Sequence, residues 1–503
     1  MSRKLKNVNT IVTKKVFCIV MTLVLILTIG INTNTNVSAK TKSKTYKIAY
    51  ILNGGKNNKN NTKTYQSSKG KKLYSPTKNK YLFKGWYKDK KFTKQISEIK
   101  KGTKGKLKLY AKWQAQSQPL NINYEGTNDM IWSWWYYPQV VSYNKTQNNV
   151  YWGFTTSKGY SGIASYNNIT HKTNKTLLKK VSQSDVDDHN GVAVTIMNNG
   201  KIMCAYTGGH NIDNKLHIRI SDKKENIEKF NKDIVLSSSG KVCYSQIIKY
   251  RNKYYIFYRV NNKSWAYRYS SNGTKWSAEK IIITAKMQYY CKFMPTTTNG
   301  VIRICMTSNP DAEDANIRMG FMNLDTNEIY NSDNKTLLGK ANIPSDQFDI
   351  IVSKPLGQSQ RLLDVAVTEP EKPMILYATF KYDFATKNSV YNLYDTDKSL
   401  EICNGGNPLW NPKYQLGASF IGDNRIVLGR EENGFDKIEI YNYDEEEIQL
   451  NKEFFSELIG NSFVRNARPI VDINQEVFLW HRGFYNPNMY TNFFTEAKIY
   501  DLQ

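Results

Sequence analysis

Two histidines, a tyrosine and an arginine stand at comparable points of neighbouring strand pairs, and together their side chains suit one kind of chemistry. His189 lies in Asp187-Asp188-His189-Asn190 and His210 in Thr207-Gly208-Gly209-His210-Asn211. Tyr244 follows in Cys243-Tyr244-Ser245-Gln246, and Arg259 closes Phe257-Tyr258-Arg259. None has an obvious Ser, Cys or carboxylate nucleophile beside it, which speaks against covalent acyl transfer. The set suits β-elimination on a uronic acid. Arg259 would take the C6 carboxylate in a bidentate pair and make the C5 proton more acidic. His189 or Tyr244 would remove that proton, and the other would protonate the departing glycosidic oxygen. His210 would help neutralise the carboxylate or orient its neighbours.

The elements that must position these residues are strand–turn–strand units. They run over Val192–Tyr206, Ile247–Val260, Thr296–Thr307, Ala418–Arg430 and Pro469–Trp480, with fainter copies near Gln147 and Glu371. Turn centres fall near 147, 198, 251, 299, 371, 423 and 474, so the spacings are 51, 53, 48, 72, 52 and 51. A period near 50 residues, with two clear strands and room for two more, predicts an all-β fold, a seven-bladed β-propeller. In an antiparallel pair the start of the first strand and the end of the second share an edge. His189, His210, Tyr244 and Arg259 should therefore meet on one rim of two adjacent blades, at the mouth of the central channel, a concavity of the kind that holds active sites.

The same placement puts Tyr414, Arg430, Arg468, His481 and Arg482 on the rim of the last two blades, as candidates for substrate binding. His171 and His217 have no such placement and read as structural. Trp132, Trp134 and Trp135 could stack on sugars, although packing between blades is the commoner use of such aromatics. A degenerate Asp-box-like turn, Ser270-Ser271-Asn272-Gly273-Thr274-Lys275-Trp276, agrees with a propeller. A sialidase would carry several cleaner boxes and an Arg-Ile-Pro element, and no Arg-Ile-Pro is found in the sequence.

Composition sets the outer limits. The chain of 503 residues is 40% apolar and 23% charged, which is globular and long enough for more than one domain. Its net charge of +28 is unevenly spread: residues 1–117 hold 28 Lys and Arg against 2 Asp and Glu, and residues 118–503 hold 43 against 41. The large C-terminal part is nearly neutral, so a basic-groove nucleic-acid enzyme is not expected. Residues 1–39 read as an export signal, with Arg3, Lys4, Lys6, Lys14 and Lys15 before the apolar run Val16–Ile31 and the small-residue site Val37-Ser38-Ala39. The mature protein is expected to be secreted or held at the cell surface, with no membrane span once the signal is removed. Cys204, Cys243, Cys291, Cys305 and Cys403 form no disulfide framework and no zinc-ligand pair, so free buried thiols are the default, with room for one bridge. The chemistry requires no cofactor. A structural calcium is compatible with such a propeller, but no ligand loop assigns one, and the metal content stays unknown.

Residues 45–113 form a small separate unit of alternating strands broken by Asn/Gly turns, followed by a linker over 114–120 and the propeller over 121–503. The unit opens with Tyr46-Lys47-Ile48-Ala49-Tyr50-Ile51-Leu52-Asn53-Gly54-Gly55, continues through Gly85-Trp86-Tyr87 and ends in Leu109-Tyr110-Ala111-Lys112-Trp113. These pieces resemble the Listeria–Bacteroides repeat, the B-repeat of internalin-type surface proteins, which implies a β-grasp-like spacer or adhesion module. Its lysines suit anionic cell-wall polymers or acidic glycans.

In the larger part, Asp-Asp-His-Asn, Gly-Gly-His, the Tyr-x-Gln opening and the Phe-Tyr-Arg close come in an order that resembles the BNR-type ulvan lyases of polysaccharide lyase families 24 and 25. Ala467-Arg468-Pro469 and Phe478-Leu479-Trp480-His481-Arg482-Gly483 extend the likeness. The resemblance implies that His189, His210, Tyr244 and Arg259 are catalytic or carboxylate-neutralising, and that an acidic polysaccharide with rhamnose–uronate linkages is the substrate. The expected activity is that of a secreted polysaccharide lyase. A non-catalytic glycan-binding surface adhesin is the alternative from another class. A glycoside hydrolase is a third reading; it would need a suitable acid, commonly a carboxylate pair, which the rim motifs do not supply.

Overall fold

The computed structural model describes residues 44–78, 81–115, 129–133, 135–143, 148–181, 188–310, 312–381, 389–405, 416–432, 435–444, 447–455, 468–471, 477–483 and 495–501. The chain divides into two compact units, Met1–Gln114 and Ala115–Gln503. The expected export signal lies outside the described residues, as does the expected linker beyond Ala115. No helix among the described residues is long and apolar enough to cross a membrane.

In the first unit a five-stranded sheet has Thr45–Ile51 between Thr64–Gln66 and Leu107–Ala115, followed by Tyr81–Tyr87 and Gln95–Ile96. Thr45–Ile51 and Leu107–Ala115 run parallel. Alternation along the strands turns Ile48, Leu109 and Ala111 to one face, where they join Trp86, Tyr65 and Ile99 in a small core.

The second unit is all-β. Its described strands form seven sheets in sequence order, antiparallel except where Ile343–Pro344 joins the third. The first holds Val140–Tyr143, Asn149–Thr155, Tyr160–Asn167 and Thr173–Lys180, and the second Val192–Ile196, Ile202–Thr207, Lys215–Ile220 and Ile234–Ser237. The third holds Val242–Tyr250, Lys253–Val260, Ser264–Ser270 and Lys280–Thr284. The fourth starts with Tyr289–Pro295, Val301–Ser308 and Ile317–Asn323, and the fifth runs from Gln358–Val365 to Lys398–Asn404. The sixth runs from Gly417–Ile421 to Ile448–Phe455, and the seventh joins Arg468–Val471, Val477–Gly483 and Thr495–Asp501.

Every expected turn centre falls between the first and second strands of one of these sheets. The centres near 147 and 474 lie outside the described residues, although their flanking strands are described. The long 72-residue interval has a structural cause. After Ile317–Asn323 the chain makes an excursion through Ile329–Asn331 and Leu337–Gly339, lays Ile343–Pro344 along the third sheet, and returns as Asp349–Val352.

Burial explains the sequence pattern within each sheet. The first strand Val192–Ile196 is buried throughout, whereas the fourth strand Ile234–Ser237 alternates between half-buried and exposed. A strand covered on both faces is apolar at every position, and one with a solvated face alternates. The Asp-box-like turn works with Asn in place of Asp: Asn272 Oδ1 accepts from the backbone N–H of Thr274 and Lys275, and Trp276 Nε1 donates to Gly273 O. Gly273 sits at φ +77° against Met197, Met203 and Ile220 of the second sheet, where a Cβ would come within about 3 Å of each.

The seventh sheet packs on the first. Ile470 and Leu479 share a core with Trp132, Val140, Trp152 and Phe154. Cys204, Cys243, Cys291 and Cys305 are buried free thiols and Cys403 is a half-buried one. Burial pushes the Cys305 and Cys403 thiols up to about 12, so neither is a nucleophile at neutral pH.

Candidate active site

The four residues singled out by the strand spacing converge. The imidazole rings of His189 and His210 stack with centroids 3.9 Å apart and planes 3° from parallel. The Tyr244 ring lies 5.1 Å from that of His189, tilted by 29°. The Arg259 guanidinium sits 4.6 Å from the Tyr244 ring centroid and 4.9 Å from that of Tyr290.

Local structure accounts for each placement. His189 is in a 3-10 turn, Asp188–Asn190, directly before the first strand of the second sheet. Tyr136 donates its hydroxyl hydrogen to His189 O, and Ser161 Oγ donates to Asn190 O at 2.6 Å, so the turn is tied down on both sides. Gly191 lets the Tyr136 ring come this close, because a Cβ there would be 2.7 Å from it. His189 Nδ1 is 3.1 Å from Asp188 Oδ1, with both side chains 13% exposed. This is an ion-pair distance without the geometry of a hydrogen bond, so Asp188 sets the charge beside the ring rather than its tautomer.

Tyr244 occupies a β-bulge. The register of Val242–Tyr250 against Lys253–Val260 shifts between Cys243 and Ser245, and Tyr244 adopts φ +59°. A bulky residue in the left-handed region costs on the order of 1–3 kcal/mol. The bulge re-aims the phenol out of the strand's alternation and toward His189. Burial, the largest influence, raises the Tyr244 phenol well above its ordinary pKa, while the Arg259 charge pulls the other way. The neutral phenol is therefore its form at neutral pH.

Arg259, opposite Cys243 in the ladder, has no solvent exposure. No hydrogen bond of normal geometry reaches its Nε, Nη1 or Nη2 among the described residues. Burial opposes the charge, but Cys243, Tyr244 and Tyr290 around it favour the charge and hold its pKa above the ordinary arginine value. It is a buried cation between two aromatic faces, and no described carboxylate pairs with it.

Solvent reaches His210, yet protein crowds most of its surroundings. This desolvation, with the neighbouring His189 and Arg259, pushes its pKa down to about 3, and Asp188 opposes the shift only weakly. This environment favours the neutral ring of His210, which stacks on His189. Of the two roles expected for His210, helping to neutralise the carboxylate or orienting its neighbours, the stacking on His189 suits the second. In a pH titration followed by NMR, the His210 ring signals should stay unshifted from pH 8 to pH 5. An unfolded histidine takes up its proton near 6.5, so the site contributes to a loss of stability as pH falls through that value. A midpoint near 6.5 for the folded His210 ring would contradict the assignment.

Further residues complete the cluster. Trp135 stacks on Tyr290 at 4.9 Å, and Tyr136 meets Tyr244 edge-on at 5.7 Å. Arg361 lies 5.6 Å from Tyr290 and 5.9 Å from Trp135, which brings the fifth sheet into the site. Tyr290 and Arg361 were not among the expected site residues. They stand on the first strands of the fourth and fifth sheets as Tyr244 does on the third, but at different distances from their turn centres, so the repeat spacing alone does not single them out.

The expected substrate-binding residues fare differently. Arg430 Nε donates to Glu439 Oε2 at 2.7 Å, and Glu439, which has no solvent exposure, also accepts from Tyr441. This ion pair lies within the sixth sheet, so Arg430 is committed there and is not among the residues gathered at His189. Tyr414 lies outside the described residues. Arg468 and His481 pair across the seventh sheet, with Arg482 next in the same strand. His171 and His217 are structural: the Tyr166 hydroxyl lies 2.6 Å from His171 Nδ1, and His217 Nδ1 lies 2.6 Å from Asp233. No group of three or more His, Cys, Asp and Glu suited to a metal occurs among the described residues.

Comparison with known proteins sets this site in a family. The profile of the BNR repeat-containing family matches residues 149–401, about half of the chain. The chain belongs to the BNR repeat-containing family. Residues 46–112 match the Listeria–Bacteroides repeat domain. No curated protein matches the sequence. Among solved structures, this BNR-repeat chain is similar to a polysaccharide lyase described as PL25-Ulvanlyase, bound to -[GlcA(1-4)Rha3S]-. The identity is 13%, the match covers 74% of this chain and 93% of that one, and the TM-score is 0.54. It is also similar to polysaccharide lyase Uly1, at 13% identity, with 78% of this chain and 94% of that chain covered and a TM-score of 0.50. At such identity the likeness shows a shared fold.

Proposed function

We propose that this BNR-repeat protein is a polysaccharide lyase that cleaves a uronate-containing polysaccharide by β-elimination. The observation that carries the proposal is Arg259: a buried guanidinium without a described anionic partner, 4.6 Å from the Tyr244 ring, which in turn lies 5.1 Å from the His189 imidazole. An uncompensated buried cation is costly, and a substrate carboxylate would supply the missing charge. With the C6 carboxylate on Arg259, negative charge developing toward it as the C5 proton leaves is stabilised. His189, with the Asp188 carboxylate beside its ring, takes that proton. The C5–H electrons form the C4–C5 double bond, the C4–O bond breaks, and the Tyr244 phenol gives its proton to the departing oxygen. The raised pKa of Tyr244 assigns it the acid role and leaves His189 as the base.

The shared fold with lyases, one of them bound to a glucuronate–rhamnose sulfate chain, supports an ulvan-like rhamnose–uronate polymer as the substrate class. The seven sheets, with Ile470 and Leu479 of the seventh packed on the first, support a closed seven-bladed propeller. The residues of the proposed reaction are all side chains of this chain, and the sequence features of residues 1–39 support export to the cell surface or beyond.

An ultraviolet scan of the purified protein against a panel of uronate polysaccharides tests the activity. Absorbance from a 4,5-unsaturated uronate is the expected result, and new reducing ends without it would indicate a hydrolase. Tyr244→Phe, which keeps the ring and the packing, should lower turnover by about 10²–10⁴-fold with little change in Tm. Wild-type turnover in that variant would remove Tyr244 from the chemistry.

A further inference from the structure

The N-terminal module carries 21 lysines over residues 44–115 against two acids, Asp89 and Glu98. Asp89 is occupied in its own turn, where it accepts from the backbone N–H of Thr93 and Lys94. Glu98 lies opposite Lys72 in the ladder of a separate two-stranded ribbon. The five-stranded sheet has one face in the module's core and one facing away from it. The outer face follows from strand alternation: Lys108, Tyr110 and Lys112 share it, because Leu109 and Ala111 point into the core. Lys47 and Ala49 share it on the adjacent strand, with Ala49 abreast of Lys108 and Ile51 abreast of Tyr110. Aromatic rings lie among these cations. Lys108 Nζ is 5.8 Å from the Tyr110 ring, and Lys112 Nζ is 5.5 Å from Tyr87 and 5.9 Å from Phe92. Lys47 and Lys108 are exposed, Lys112 and Tyr110 are half-buried, and none of the three lysines is in an ion pair among the described residues.

We propose that this face is a binding site for acidic polysaccharide chains, the class on which the second unit is proposed to act; the choice of ligand class rests on that reading. Lysines flanking an aromatic ring suit a chain of sugar rings bearing carboxylates or sulfates. The ring faces stack on Tyr110, and the acid groups meet Lys47, Lys108 and Lys112. A polyol phosphate would offer the charge without a ring to stack. The binding face and the proposed active site reside in one chain. A polymer held by the module is therefore presented to that site at a raised effective concentration.

The test uses the full chain in affinity electrophoresis through gels containing polygalacturonate, a sulfated rhamnose–uronate polymer, poly(ribitol phosphate) or duplex DNA. His189→Ala in the background keeps the polymer intact. The triple change Lys47→Thr, Lys108→Thr and Lys112→Thr should weaken retention by the two polyuronates about tenfold or more. Tyr110→Thr should weaken it with no change in charge. A charge-matched control, Lys69→Thr, Lys101→Thr and Lys104→Thr in exposed turns, should change it less than about threefold. Equal losses in the two triples would overturn the site in favour of diffuse charge, and stronger retention by duplex DNA or poly(ribitol phosphate) would overturn the ligand class. In the His189-containing chain, the outer-face triple should leave turnover of a short soluble substrate unchanged. If no variant turns over any substrate yet the retention pattern holds, the lyase reading fails and the binding site stands.

Discussion

Replacing His189 by alanine should lower turnover on a uronate polymer by at least about 10²–10⁴-fold, the share usually carried by a positioned proton-transfer group. The fold should survive, because the His189 side chain is 13% exposed and its turn is held through backbone atoms that accept from Tyr136 and Ser161. Loss of one imidazole at such a place costs roughly 1 kcal/mol. The readout is the rate of appearance of unsaturated uronate, with Tm as the control. Asp188→Asn should give a smaller loss by removing the carboxylate charge that lies 3.1 Å from Nδ1 and favours the imidazolium formed in the reaction. Retention of full activity in His189→Ala would place the base elsewhere and make the stacked histidines structural.

Arg259→Met should separate function from stability in opposite directions. The guanidinium is fully buried, and no hydrogen bond of normal geometry reaches it among the described residues. An apolar side chain of similar length can replace a poorly compensated buried charge at no cost, or with a gain of about 1–4 kcal/mol. The Tm should therefore hold or rise by a few degrees. Turnover should be lost with the group that pairs with the carboxylate and stabilises charge developing toward it. Arg259→Lys should recover only part of the rate, because an ammonium keeps the charge without the two-pronged geometry. A Tm that falls by many degrees in Arg259→Met would show that the cation supports the fold, and the proposed carboxylate pairing would lose its main argument. The bulge at Tyr244 fits the same pattern, since a tyrosine held at φ +59° is strain at the place where the proposed chemistry needs a phenol.

Much of this was legible in the sequence, for a physical reason. A hairpin turn is a local feature, set by a few Asn, Gly and charged residues between apolar runs. Its spacing fixes which end of each strand a residue occupies. That was enough to send His189, His210, Tyr244 and Arg259 to one end of two adjacent sheets. It also revealed the long fourth interval, whose content, the excursion from Ile329 to Val352, periodicity could not supply. The same rule is silent on what surrounds Arg430. Strand-end position says nothing about which neighbour a side chain will find, and the fully buried Glu439 on the adjacent strand claims it.

The sequence by itself determined the all-β class, the repeat phase, the concentration of charge in the N-terminal module and the end of the strands where the four candidate residues lie. These depend on composition and on patterns within a few tens of residues. Only the tertiary structure decided what surrounds those four. It brought Tyr136 from the segment before the first sheet, Tyr290 from the fourth and Arg361 from the fifth, buried the Arg259 cation against two rings, and stacked His210 on His189. These outcomes arise where separate sheets pack together, so they depend on distances between residues far apart in the chain and on the exclusion of water, neither of which a local pattern encodes.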